Sequence, residues 1–298
     1  MGSSSCWLVM AALAGCGRVR FEDRAGGTGS AARDSGTDTG LTAVTCDRLA
    51  VTTPTYWADT NLGLDTNPGT QAEPTKTIAE AITLASSTGG TVIVAPGNYL
   101  ETLDISTTVP LLLLSEQRYR ARIDRLNCAF CQDLAVDGFE ITGSSLPLVS
   151  INGGTRVTFH DNVVYDGGSA GIRVTAGAQS IDVSNNVIYA TVGTALHVNV
   201  ATGITIRNNV VFGFNTTPLA GEQPIWLESS TDATVAGNVV FRWLGDDTNY
   251  GVISLRATTG TTLVENNLIA GSPNATSVYA SIGFDQGGGT AIIRHNTF

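Results

Sequence analysis

An all-β solenoid, wound as a right-handed parallel β-helix of about eight turns behind an N-terminal capping helix, is the fold expected of this chain on three grounds. The first is a frame, apolar-x-apolar-x-(Asn/Gly/Asp/His)-Asn-x-apolar, that recurs seven times, centred on Asn162, Asn186, Asn209, Asn238, Asn267 and Asn296, with Phe139 in the asparagine's place in the first copy. The steps are 23, 24, 23, 29, 29 and 29 residues, and such a period means repeat architecture. The second is the residue before each centre: Gly138, Asp161, Asn185, Asn208, Gly237, Asn266 and His295 are types that tolerate a left-handed backbone, so each copy is expected to bend there. The third is apolar alternation on both sides of the bend. Val157/Phe159, Ile181/Val183, Ile204/Ile206, Ala233/Val235, Thr262/Val264 and Ala291/Ile293 precede it. Ile141, Val164, Ile188, Val211, Val240, Ile269 and Phe298 follow it, and a further column, from Leu126/Cys128 and Val149/Ile151 to Ile225/Leu227 and Ile282/Phe284, runs about twelve residues upstream. Three strands per turn stack at roughly 4.8 Å, and the asparagines become a ladder inside one corner.

On these residues the chain resembles the pectin-lyase-like superfamily over Thr55 to Phe298, a resemblance of fold rather than of activity. Met1 to Gly15 reads as an export signal, its apolar run Trp7 to Leu13 too short to span a bilayer. It ends in Leu13-Ala-Gly-Cys16, which resembles a bacterial lipobox and implies lipidation of Cys16; no Lys or Arg precedes the apolar run, a departure from that pattern. The membrane is then a partner only through the lipid. Residues 16–45 are a Gly/Ser/Thr/Asp-rich tether with too little apolar surface to fold.

The folded part is expected over 46–298. Tyr56 to Thr70, Pro74 to Ile78 and Gly89 to Tyr99 resemble the opening segment of many secreted bacterial β-helix proteins, for which no chemistry is assigned. Thr77 with Glu80 makes a capping box, and Ile78, Ala81, Ile82 and Ala85 form one helical stripe that plugs the open end of the solenoid. Asp59, Asn61, Asp65 and Asn67 leave two readings open, a calcium loop and ordinary Asx turns; Gly63 and Thr70 at the fifth and twelfth positions exclude an EF-hand. No other metal or cofactor is indicated. The net charge of −10 argues against nucleic acid. With Cys16 lipidated, Cys46, Cys128 and Cys131 remain, and a disulfide from Cys46 to either of the others would staple the N-terminal segment to an early turn.

In polysaccharide-active members of the superfamily the substrate lies along the outside of the first strand of each turn. There the outward columns are Asn127, Ser150, Arg173, His197, Trp226, Ser254, Gly283 and Ala129, Asn152, Thr175, Asn199, Glu228, Arg256, Asp285. The longer repeats place loops 212–223, 243–250 and 270–280 beside them. Trp226, His197, Arg173 and Asn199 are the candidate substrate-binding residues, and Glu228, Asp285 and Arg256 the candidate catalytic ones: a ring for stacking, a guanidinium for a carboxylate and two acids. The competing reading is a surface charge ladder, because Arg256 lies one turn from each acid. Glu228 and Asp285 are two turns apart, roughly 9.6 Å, which suits an inverting hydrolase and not a retaining one. Lys76, on the capping helix, is the one lysine, so a lysine-based lyase on this face is excluded. The acid-cluster and Gly-His-Gly motifs of polygalacturonases and the Asp-Pro-His-Glu motif of mannuronan epimerases are absent.

The leading reading is a surface-displayed or secreted β-helix that binds polysaccharide or serves a structural role. The alternatives are a carbohydrate-active enzyme, hydrolase before lyase, and a protein-interaction or adhesin module using an outward apolar stripe on the third strand (Val163, Val187, Val210, Val239 and Leu268, with Tyr165, Tyr189, Phe212 and Phe241). Because Phe298 completes only the start of a third strand, the chain is expected to continue with further turns and a cap.

Overall fold

The computed structural model describes residues 48–298 apart from 144–146, 214–222, 242–250, 271–280 and 286. The signal segment, the lipobox cysteine Cys16, the tether, Cys46 and most of the three long loops therefore lie outside the described residues. Ala50–Phe298 form one compact unit.

Alternating apolar residues build three parallel sheets, of ten, eight and eight strands, each pairing one turn with the next. The first-strand sheet runs from Thr102–Ile105 to Ile282–Asp285, the second from Thr55–Ala58 to Thr290–Arg294, and the third from Gly97–Asn98 to Leu268–Ala270. The inward columns form a single core that includes Leu126, Val149, Ile172, Phe159, Ile181, Ile141 and Val164. The last turn has a neighbour on one side only, and its inward Phe284, Ile293 and Phe298 stand exposed.

Every bend residue read from the sequence has a positive φ, from 53° at Asp161 to 84° at Gly138. The bend aims the next asparagine inward. Each asparagine Oδ1 accepts the backbone N–H of the preceding rung, from Phe139 N on Asn162 at 2.9 Å to Asn267 N on Asn296 at 2.9 Å. Each Nδ2 turns to a strand carbonyl, as Asn186 Nδ2 does to Phe159 O at 2.9 Å. The asparagines thus satisfy the backbone groups that a buried corner would otherwise orphan.

The capping helix α1 (Ile78–Ala85) buries Ile78, Ala81 and Ala85 in the same core, with Ile82 packed against it. Half of the expected capping box forms: Thr77 Oγ1 accepts Glu80 N at 3.2 Å, while Thr77 N donates to Asp65 Oδ1 at 2.8 Å. Asp65 reaches Thr77 N from the preceding loop. The first-turn amides of Ile78 and Ala79 are taken by the two oxygens of Glu101, each at 3.0 Å, so the first coil of the solenoid caps the helix that covers it. Burial raises the Glu101 pKa despite these two bonds.

Cys128 is bonded to Cys131, which corrects the expected staple from Cys46. Their Cα atoms are 5.6 Å apart across one corner, within the usual disulfide range. On the third sheet, Tyr165, Tyr189, Phe212 and Phe241 stack face to face with centroids 4.9, 5.1 and 5.0 Å apart. The stripe that sequence left unplaced therefore covers much of its own apolar surface, rung against rung.

Candidate functional site

The outer face of the first-strand sheet carries the two expected columns. Ser150, Arg173, His197, Trp226, Ser254 and Gly283 are in register across five consecutive strand pairs. Asn199, Glu228, Arg256 and Asp285 are aligned beside them.

Alignment becomes contact in one half of this face. His197 stacks on Trp226 with ring centroids 4.3 Å apart and planes 12° from parallel. Glu228 lies between them and Arg256: its carboxylate is 3.6 Å from His197 Nε2 and 3.4 Å from Arg256 Nη1. All four are partly shielded from solvent. One face of the Trp226 ring is thus taken by His197, and Nε1 is buried without a hydrogen-bond partner among the described residues. Ser254, on the next strand, is buried as well. Trp226 is accordingly less open than its outward position suggests. The backbone of Asp285 pairs in register with Arg256; its side chain lies outside the described residues.

The other half of the face is concave. A groove of about 500 Å³ is lined by Arg125, Pro147, Ser150, Asn152, Arg173, Thr175, Ala176, Asn199 and Val200. Arg173 and Asn199 were legible as candidates. Arg125 was not, because it precedes the inward Leu126 and stands outside both columns. Its Nε is buried with no hydrogen-bond partner among the described residues. Thr175 donates to Asn152 across the groove wall. Ala176 and Val200 adopt φ values of 60° and 55°, although neither residue type signals a left-handed bend in sequence. Since Arg173 pairs in register with His197, the groove runs directly into the stacked pair, one strand spacing (about 4.8 Å) away.

Two other clusters bear on metal binding. In the calcium-loop candidate, Asp59 Oδ1 accepts the amides of Asn61 and Leu62 at 2.8 and 3.0 Å, and Asp65 Oδ1 those of Lys76 and Thr77 at 3.0 and 2.8 Å. The Asp59 bonds are those of an Asx turn, while the Asp65 bonds tie the loop to the start of the capping helix. Among the described residues, Asp137, His160 and Asp161 bring three ligand atoms within 4.8 Å of one another. Asp161 is, however, gripped by Arg118 Nε at 2.5 Å and by the Tyr119 hydroxyl. Burial raises the Asp161 pKa, while Tyr119 and Arg118 lower it. A loop from an earlier turn is thereby latched over this corner, and the carboxylate oxygens are engaged without a metal.

The family model for a right handed beta helix region matches residues 125–298, and that of a protein of unknown function (DUF1565) matches residues 61–120. No curated protein matches the chain. Among solved structures, a GH136 lacto-N-biosidase from Eubacterium ramulus is 11% identical, with 82% of this chain and 67% of that one covered and a TM-score of 0.42. Endopolygalacturonase I from Stereum purpureum is 12% identical over 70% of this chain and 69% of its own, with a TM-score of 0.41. A mannuronan C-5 epimerase A-module from Azotobacter vinelandii is 14% identical over 81% and 99%, at 0.34. Likeness at these identities concerns the fold alone.

Proposed function

The chain belongs to the right-handed β-helix family, and from that membership we propose that it is a polysaccharide-binding β-helix, displayed at a bacterial surface by a lipid on Cys16, with its ligand in the Arg125–Arg173 groove and against the His197–Trp226 pair. The observation that carries this reading is the groove itself. On a chain of net charge −10, it gathers two arginines with Asn152, Asn199, Ser150 and Thr175 in one concavity. Such a set suits a hydroxyl-rich polymer bearing carboxylate or sulfate groups.

The test is a binding screen of the exported protein against polygalacturonate, alginate, chondroitin sulfate and neutral xylan, with reducing ends and unsaturated-uronate absorbance followed in parallel. Binding without turnover supports the proposal, and Arg173→Ala should weaken it about tenfold, more at low salt than at high. An Arg173→Ala variant that binds as wild type removes the groove from the account. Metabolic labelling with a fatty acid, lost in Cys16→Ser, tests the anchor.

One observation favours a second reading, an inverting hydrolase. Glu228 is flanked by His197 and Arg256 and stands two strands from Asp285 in register, roughly 9.6 Å along the axis, at the upper edge of the inverting separation. New reducing ends that disappear in Glu228→Gln would establish it.

A further inference from the structure

Phe130 is 68% exposed and holds a φ of 55°, a conformation that side-chain-bearing residues rarely adopt and that persists where the surroundings enforce it. Ala176 and Val200, on later rungs of the same corner, share that conformation, so the bend belongs to the corner; three further contacts hold Phe130 in particular. The residue sits inside the four-residue loop closed by the Cys128–Cys131 disulfide, both of whose cysteines are buried. Its amide donates to Asn152 O at 2.7 Å. Its ring lies over Gly153, where a Cβ would come within 2.5 Å of two ring carbons, so only glycine on that rung leaves the ring its place. A lone exposed apolar side chain is ordinary. An exposed aromatic ring held in a disulfide-closed loop and seated on a glycine is built to be presented.

Its position says to what. Phe130, Gly153, Ala176 and Val200 form one corner column, all with positive φ, and Ala176 and Val200 line the groove. Asn152, which receives the Phe130 amide and immediately precedes Gly153, lines it too. The ring therefore stands beside the groove, next to Asn152 and in the corner column of Ala176 and Val200. We infer that Phe130 is an aromatic platform on which one pyranose ring of the bound polysaccharide stacks, its C–H face on the phenyl ring and its polar groups turned to Asn152 and the two arginines. This rests on the polysaccharide reading of the groove and adds a residue class to it: the ligand must offer an apolar sugar face next to an anionic substituent. The same chemistry excludes a simple polyanion without rings as a full ligand.

Isothermal titration of the intact exported protein with polygalacturonate, alginate, chondroitin sulfate and xylan separates the outcomes, using wild type, Phe130→Ala, Phe130→Leu, Phe130→Tyr and Arg173→Ala. Loss of the stacking contact should weaken binding about tenfold in Phe130→Ala and Phe130→Leu and leave Phe130→Tyr within about twofold of wild type. Leucine keeps apolar bulk over Gly153 and lacks the ring face, so a purely structural Phe130 predicts that Leu and Tyr behave alike. Wild-type affinity in Phe130→Leu together with loss in Arg173→Ala overturns the platform and leaves the groove standing. Absence of binding by the wild type to all four polymers overturns both.

Discussion

Replacing Asn209 by alanine is a direct test of what holds the corner together. Its Oδ1 accepts Asn186 N and Asn186 Nδ2, both at 3.0 Å, and its Nδ2 donates to Val183 O at 2.8 Å and Asn238 Oδ1 at 3.0 Å. Three of the four partners retain another bond: Asn186 Nδ2 keeps Phe159 O, Asn238 Oδ1 keeps the amide of residue 209, and Val183 O keeps its place in the parallel ladder, where Ser184 pairs with Arg207. The substitution therefore orphans one buried group, the amide of Asn186. At about 1–3 kcal/mol for an orphaned buried group, Asn209→Ala should cost about 1–3 kcal/mol. In a domain of this size that is a fall in the thermal midpoint of at least about 2 °C, followed by far-UV circular dichroism at a fixed scan rate. Asn296→Ala, at a half-buried rung where water can substitute, should cost less. A midpoint unchanged in Asn209→Ala, or equal losses at both rungs, would refute the argument that buried backbone satisfaction is what the ladder contributes.

Other measurements follow from the same coordinates. The raised pKa of Glu101 means that the folded state holds its proton more tightly than the unfolded chain does. Its contribution is then fully present below the ordinary value of 4.5 and is lost as pH rises through the raised one. The midpoint of wild type minus that of Glu101→Gln should accordingly grow as pH is lowered from neutral toward 4.5, and a difference that shrinks on acidification contradicts the sign. Trp226→Ala should weaken polysaccharide binding by about 1–3 kcal/mol while leaving the core folded; a folded variant titrating as wild type would confine the ligand to the groove. Gly153→Ala, which drives a Cβ into the Phe130 ring at a φ of 64°, should impair binding as Phe130→Leu does, with a lowered midpoint in addition.

The core of the fold was legible because it is periodic. Inward columns, bend residues and the asparagine ladder each repeat, and a period of 23 to 29 residues makes seven weak local signals one strong one. What does not repeat was hidden. Arg125 enters the groove from outside the columns, and Phe130, Ala176 and Val200 take up left-handed backbone that their residue types do not announce. Asp65 reached Thr77 across eleven intervening residues and displaced the capping-box bond that the local sequence promised. The Arg118–Tyr119 latch on Asp161 spans more than forty positions. At the candidate site the columns correctly aligned His197, Trp226, Glu228 and Arg256, yet alternation alone says only that a residue points outward. Whether its ring face is free is decided by its neighbour on the next strand, and for Trp226 that neighbour is His197.

The lengthening of the repeat from 23 to 29 residues leaves no mark on the ladder: Asn186 N to Asn209 Oδ1 and Asn209 N to Asn238 Oδ1 both measure 3.0 Å. The strand pairs that span the change hold a single register in all three sheets. Insertions are thus absorbed between strands, and the spine does not record them. Residues between strands can change in number from one turn to the next while the strands beneath hold their stacking, so that, on the polysaccharide reading proposed above, ligand choice and folding would be inherited through separate stretches of the same repeat.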